Sequence, residues 1–225
     1  EYREDLYQLA LQDFLRDKDD FGYYTTMCNQ GYALCRNGNY RGALLLLQKA
    51  LDGLECFPRS NLHIVYNDLG ICNFYLGEYQ NAYHYFLLAH RFARNSMPEI
   101  FSTINIACLE AVTGKTKQAA SRMESIYSKV EQHKLNRVRQ KYYINYLLVE
   151  YLNGNKDIEK WILKAQLYPD RYSPTFTTHV AYFYRQYMDT TQKAICRDWR
   201  DLYSPCGLAY WYMDPLKFLS EGFIN

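Results

Sequence analysis

The sequence lacks several features that would assign it quickly to a class of protein. No apolar stretch approaches the ~20 residues that a membrane-spanning helix needs. Neither sign of charge dominates, since 26 Lys and Arg stand against 24 Asp and Glu and leave a net charge of +2 over 225 residues. So balanced a composition gives no reason to expect nucleic acid or an anionic membrane surface as a partner. We therefore expect neither.

Motifs for disulfides, metals and secretion are also missing. The seven cysteines include no C-x-x-C pair, and no N-x-S/T glycosylation acceptor occurs. Five of the cysteines lie in stretches typical of apolar helices, so we expect reduced core thiols and a cytoplasmic location. The five histidines show no metal-ligand spacing, and no G-x-S-x-G motif is present. The sequence thus predicts no metal, no cofactor and no catalytic residue.

Two short motifs receive structural interpretations. The tripeptide Gly114-Lys115-Thr116 resembles the end of a phosphate-binding loop, but such a loop needs a glycine where this chain has Leu109, and a strand before it. We expect a helix–helix turn there and no nucleotide binding. Arg137, Arg139 and Lys141 form a short basic run, which is interpreted as a solvated helix face.

Glycines recur every 37 to 40 residues, with apolar residues at helical spacing on both sides of each. The segments that begin at Asn37 and Leu76 are the most alike, since both read G-x-Y-x-x-A followed by an apolar residue and a second alanine. Each repeat of the pattern predicts two antiparallel helices. The glycine joins them, because it ends the first helix in a left-handed conformation. The fold is therefore predicted to be all-α, with turns at Gly38, Gly77, Gly114 and Gly154.

This pattern resembles the tetratricopeptide repeat. The likeness is strong over Tyr66–Ala89 and good over Met27–Ala50, and weaker copies follow at 103–126 and 143–165. The resemblance implies a right-handed superhelical solenoid of antiparallel helix hairpins, which would form a single domain over residues 1–225. In this domain a leading helix (1–22) precedes four hairpin repeats (23–167), and a divergent hairpin with a non-repeat helical C-terminal cap (168–225) follows.

The resemblance also implies a concave groove lined by the first helix of each hairpin. The sixth position of each repeat holds an asparagine or an aspartate, namely Asn29, Asp68, Asn105 and Asn145. Because an asparagine amide both donates and accepts hydrogen bonds, such a ladder would hold an extended peptide by its backbone. The alternative is that these side chains brace neighbouring hairpins. The predicted peptide- or protein-binding residues are Asn29, Tyr32, Arg36, Asn67, Asp68, Phe74, Tyr75, Asn105, Lys141 and Asn145.

The leading prediction is therefore a non-enzymatic scaffold or sensor module that binds a peptide or protein segment. Two alternatives stay open. Lengthened, degenerate repeats in a chain that begins at Glu1 resemble the C-terminal ligand-sensing part of a larger signalling protein, either a STAND-type ATPase or a peptide-sensing bacterial transcription regulator. On this view further domains of a longer chain are attached. The second alternative is an enzyme built on a helical array.

Overall fold

A computed structural model describes residues 3–58, 60–155, 160, 161 and 164 of the chain. Over this part the secondary structure consists of eight α-helices without a strand, so the predicted all-α class is confirmed there. None of these helices is long and apolar enough to cross a membrane. The helices are α1 (Glu4–Arg16), α2 (Asp20–Arg36), α3 (Tyr40–Leu54), α4 (Leu62–Tyr75), α5 (Tyr79–Arg91), α6 (Ser96–Val112), α7 (Thr116–Glu131) and α8 (Asn136–Leu152).

The predicted glycine turns are confirmed. Gly38, Gly77, Gly114 and Gly154 adopt φ angles of 78°, 80°, 87° and 76°, in the left-handed region that a residue with a Cβ avoids. They follow the C-termini of α2, α4, α6 and α8 respectively. The tripeptide at 114–116 is accordingly a turn between α6 and α7, as predicted.

The chain divides into two compact units, residues 1–102 and 103–225. In the first unit α2 packs against α3, and α4 packs against α5. Small residues permit these contacts, because a Cβ on Gly70 would lie 2.5 Å from the ring of Phe86, and one on Gly31 would lie 2.8 Å from Cγ of Leu47. Glycine at these two positions thus lets the paired helices approach closely.

Side-chain caps fix where two helices of the first unit begin. The carboxylate of Asp19 accepts a hydrogen bond from the backbone N–H of Gly22 at 2.8 Å, at the start of α2. Asn39 Oδ1 accepts one from Gly42 N–H at 3.0 Å, at the start of α3. Each cap satisfies a backbone donor that the first turn of a helix leaves without an intrahelical partner.

In the second unit α7 packs against α8. The apolar face of α7 buries Ala119, Met123, Ile126 and Val130 at a spacing of three and four residues. This spacing puts all four side chains on one side of a helix, which explains why a polar segment forms a stable one. The facing helix α8 buries Val138, Tyr142, Tyr143, Ile144, Tyr146, Leu147 and Val149.

Four of the five cysteines in the described part are buried free thiols, namely Cys28, Cys35, Cys72 and Cys108, and Cys56 is exposed. The right-handed solenoid and the single domain stay predictions. The divergent hairpin and cap predicted for residues 168–225 lie outside the described residues. Residues 156–159, 162, 163 and 165 of the fourth repeat lie outside them too.

Candidate functional site

The ten residues predicted to bind a peptide differ widely in exposure. In the first unit Asn29 and Arg36 are exposed, Tyr32, Asn67 and Tyr75 are half-buried, and Asp68 and Phe74 are buried. In the second unit Asn105 and Asn145 are buried and Lys141 is half-buried.

Several of these side chains contact neighbours within the first unit. The guanidinium of Arg36 lies 5.9 Å from the centroid of the Tyr32 ring. The rings of Tyr75 and Tyr40 stack at 4.5 Å with an interplanar angle of 7°. These pairs link residues along one helix or between adjacent helices.

The asparagines of the second unit lie in its interior. Asn145 is 1% exposed and Asn105 is 2% exposed. The amide of Asn145 donates to the Lys141 carbonyl at 2.6 Å, and its Oδ1 accepts from the Cys108 thiol at 3.2 Å. Asn145 therefore connects α8 to α6, and its two hydrogen bonds are the contacts expected of a brace. The ligand-binding role of Asn105 and Asn145 stays a prediction.

Asp68 is a buried carboxyl group of the first unit with an incomplete set of partners. Its Oδ1 accepts a hydrogen bond from the Asn67 amide at 3.4 Å, whereas Oδ2 has no partner among the described residues. Burial raises the pKa of Asp68 to about 7, and the bond from Asn67 acts in the opposite direction. A substantial fraction of this carboxyl group is therefore protonated near neutral pH.

Glu110 is the corresponding buried carboxylate of the second unit, and it is fully paired. The guanidinium of Arg122 donates to it twice, Nε to Oε2 at 2.8 Å and Nη2 to Oε1 at 2.6 Å. The amide of Gln118 donates to Oε1 at 2.9 Å. This bidentate pair fixes α7 against α6 and commits the positive charge of Arg122 to the interior of the unit.

An aromatic cluster on α7 and α8 holds a second cation. Lys164 Nζ lies 4.7 Å from the centroid of the Tyr127 ring, 5.3 Å from that of Trp161 and 5.6 Å from that of Tyr143. It also donates a hydrogen bond to the Tyr127 hydroxyl. Burial raises the pKa of the neighbouring Tyr142, so its hydroxyl stays protonated and donates to the Met123 carbonyl at 2.9 Å.

Five further basic side chains of this unit lie where α7 ends and α8 begins. We call residues 129–141 the basic turn. It contains five Lys and Arg residues against one acid, Glu131, and the carboxylate of Glu131 accepts a hydrogen bond from the Tyr143 hydroxyl. The basic side chains are Lys129, Lys134 and Arg137, which are exposed, and Arg139 and Lys141, which are half-buried.

Comparison with known proteins places a family-model match on part of the chain. The model of the LAGLIDADG DNA endonuclease family matches residues 114–223. This range is just under half of the chain, and it contains α7, α8 and the basic turn. No curated protein and no solved structure matches the chain.

Charge is divided between the matched range and the rest of the chain. Residues 114–223 contain 17 Lys and Arg against 11 Asp and Glu, a net charge of +6. All other residues together contain 9 against 13, a net charge of −4. The balanced total of +2 therefore results from two opposite halves.

The match corrects the assignment to the tetratricopeptide repeat family, which was wrong because the family model points elsewhere. The repeating glycines and alanines are what any closely packed helix hairpin needs. Two antiparallel helices that approach closely require a left-handed turn between them and a small residue at the contact. The pattern thus predicted hairpins correctly, and it did not determine the family.

Three functional expectations are corrected by the same finding: a peptide-binding scaffold, a non-enzymatic protein and the exclusion of nucleic acid. Neither alternative gains support from it, whether the sensing domain of a signalling protein or an enzyme on a helical array. The exclusion of nucleic acid failed because it used the charge of the whole chain, and an electrostatic interface depends on local charge.

Sequence reasoning had noticed only three members of the basic turn, and it interpreted them as a solvated face. Lys129 and Lys134 lie outside the three-residue pattern and were missed. A count of charge in successive segments of the chain would have found them, because one acid stands against five bases there.

Proposed function

We propose that this protein binds double-stranded DNA, and takes part in its cleavage, through the range that matches the LAGLIDADG DNA endonuclease family. The observation that carries the proposal is the match to residues 114–223. The charge of this range supports it, because a net charge of +6 next to a net charge of −4 elsewhere attracts a polyanion to one part of the chain.

The first five helices take the role of a scaffold in this proposal. Their hairpins would be stacked in the right-handed superhelix predicted from the repeats, and they would carry the DNA-binding part without contacting DNA themselves. The acidic excess outside the matched range favours this division, because it repels phosphate groups.

Cleavage of a phosphodiester bond requires stabilisation of the charge that develops on the phosphate, which nucleases commonly achieve with divalent cations held by carboxylates. Among the residues that the structure describes, no group of three or more His, Cys, Asp or Glu side chains is arranged to hold a metal ion. The proposal therefore names no metal ligand among the described residues.

Fluorescence anisotropy with a labelled duplex of about 30 base pairs tests binding by the full chain. We expect saturable binding that weakens steeply between 50 and 200 mM KCl, since each phosphate contact adds about −0.9 to the slope of log K against log salt. Absence of saturable binding at 50 mM KCl would contradict the proposal.

Cleavage is tested separately by incubating supercoiled plasmid with the full chain and Mg²⁺, with EDTA as the control. Magnesium-dependent conversion to nicked or linear plasmid is the expected result. Binding without cleavage under these conditions would limit the proposal to DNA recognition.

A further inference from the structure

The first unit contains an open cleft between α3 and α5. Its volume is about 700 Å³, within the range of about 300–1,000 Å³ that is usual for small-molecule sites. Asn73 of α4, which is buried, lies at its bottom, and Asn81 and Tyr85 of α5 line one wall. The other wall is one face of α3, whose lining residues recur every three or four positions. They are Arg41, Leu44, Leu45, Gln48, Lys49 and Asp52.

Two cations of this cleft are not used inside the protein. Arg41 and Lys49 are exposed, and neither has an ion pair or a hydrogen bond with any residue that the structure describes. They belong to the same helix and are separated by about 12 Å along its axis. Their long side chains can therefore converge on one anionic group placed between them. With two cations against the one acid of the lining, Asp52, the cleft attracts an anion.

Hydrogen bonds connect the two walls of the cleft. The Tyr85 hydroxyl donates to Gln48 Oε1 at 3.2 Å, and Gln48 Nε2 donates to Asp52 Oδ1 at 3.0 Å. The carboxylate of Asp52 is thus engaged by an amide and not by either cation. These bonds also restrict the rotamers of the three side chains, which lowers the entropy lost when a ligand enters.

Apolar surface lies between the two cations. Leu45 is 75% exposed, and Leu44 beside it is half-buried. Covering such a side chain with an apolar group is favourable, because it removes apolar area from water. An inorganic anion would leave this surface in water. The lining therefore favours a ligand that combines a negative charge with an apolar body.

We infer that the cleft between α3 and α5 binds a small organic anion. Its acidic group, a phosphate monoester or a carboxylate, lies between Arg41 and Lys49, and its apolar body lies against Leu45 and the ring of Tyr85. The inference goes beyond the proposed function and does not depend on it, because it concerns helices to which that proposal assigns no ligand.

Isothermal titration calorimetry of the full chain with four probes tests the inference. Phenyl phosphate carries both the charge and the apolar body, inorganic phosphate lacks the body, and benzyl alcohol lacks the charge. We expect saturable binding of phenyl phosphate, with an affinity about tenfold or more above that of either incomplete probe. Benzoate, the fourth probe, distinguishes the two acidic groups, because it replaces the phosphate monoester by a carboxylate.

The decisive variant is Arg41→Gln/Lys49→Gln, which should lower the affinity for phenyl phosphate on the order of tenfold. Its matched control is Lys115→Gln/Lys117→Gln, which removes two exposed positive charges from the second unit and should change the affinity less than about twofold. The charge-conserving Arg41→Lys/Lys49→Arg should retain most of the affinity. Leu45→Ser should reduce the preference for phenyl phosphate over inorganic phosphate.

Four results would overturn the inference. They are absence of saturable binding up to about 10 mM phenyl phosphate, equal affinity for phenyl phosphate and inorganic phosphate, wild-type affinity in Arg41→Gln/Lys49→Gln, and an equal loss in this variant and its control. Circular dichroism of each variant confirms that the helices are retained. None of these results bears on duplex DNA, whose binding is measured separately.

Discussion

The two units bury a carboxyl group in opposite ways. Asp68 in the first unit has one oxygen without a partner among the described residues, whereas Glu110 in the second receives three hydrogen bonds from Arg122 and Gln118. The two groups are similarly hidden, at 2% and 1% exposure. Two carboxyl groups at the same depth thus differ in their partners, and the partners of a buried acid, more than its depth, determine what the removal of one of them costs.

The largest expected effect follows from breaking the complete pair. Arg122→Ala leaves the Glu110 carboxylate buried without its cation and should lower the free energy of unfolding by about 3–5 kcal/mol. Urea denaturation at pH 7 measures this. Lys117→Ala, an exposed position on the same helix, serves as the control and should stay within about 0.5 kcal/mol of wild type. Equal stability of the two variants would show that the pair contributes nothing.

A second prediction concerns the tight helix contact of the first unit. Gly70→Leu places a side chain where even a Cβ would lie 2.5 Å from Phe86, so the helices must separate, and we expect a loss of roughly 1–3 kcal/mol or more. The exposed substitution Gln80→Leu in the facing helix adds the same side chain without a clash. Matching melting temperatures for these two variants would contradict the packing described for α4 and α5.

The incompletely paired acid should make stability depend on pH. The pKa of Asp68 in the folded state is raised to about 7, above the unfolded value of about 3.9. Folding therefore binds a proton between these values, and the free energy of unfolding should fall as pH rises from about 4 to about 7. Asp68→Asn should remove much of this fall and stabilise the protein by about 1–2 kcal/mol at pH 8.

Chemical denaturation at several pH values between 4 and 8 checks this prediction. The exposed Asp52→Asn is the matched control and should preserve the dependence of the parent chain. If Asp68→Asn shows the same pH dependence as the parent chain, the buried carboxyl group is not its source.

The smallest effect on stability is expected in the basic turn. Lys134→Gln removes one exposed charge from a positively charged segment, so the free energy of unfolding should change by less than about 0.5 kcal/mol in urea denaturation. A large loss of stability would show that the Lys134 side chain supports the connection between α7 and α8.

The elements that sequence reasoning predicted correctly depend on local physics. A glycine that must adopt a left-handed φ, such as Gly77, is visible wherever apolar periodicity stops at it. The close approach at Gly70 was predictable for a similar reason, since a small residue in an apolar helix face indicates a helix contact.

The features that sequence reasoning missed depend on tertiary neighbours or on segment-level charge. Nothing local distinguishes a buried Asn145, bonded to Cys108, from an asparagine that faces a groove. The contacts of Trp161 and Lys164 with tyrosines of α7 and α8 likewise become visible only in the packed structure. The basic turn was present in the sequence, but a charge total taken over the whole chain concealed it.

The different exposure of the cysteines allows local opening of each unit to be measured by the rate of thiol modification. Cys56 is accessible in the native state, whereas Cys72 of the first unit and Cys108 of the second are fully enclosed. A thiol reagent in excess should modify Cys56 at once, and the other two only when their helices transiently open. Mass spectrometry of the peptides that contain them would then give a separate opening rate for each unit in a single native sample.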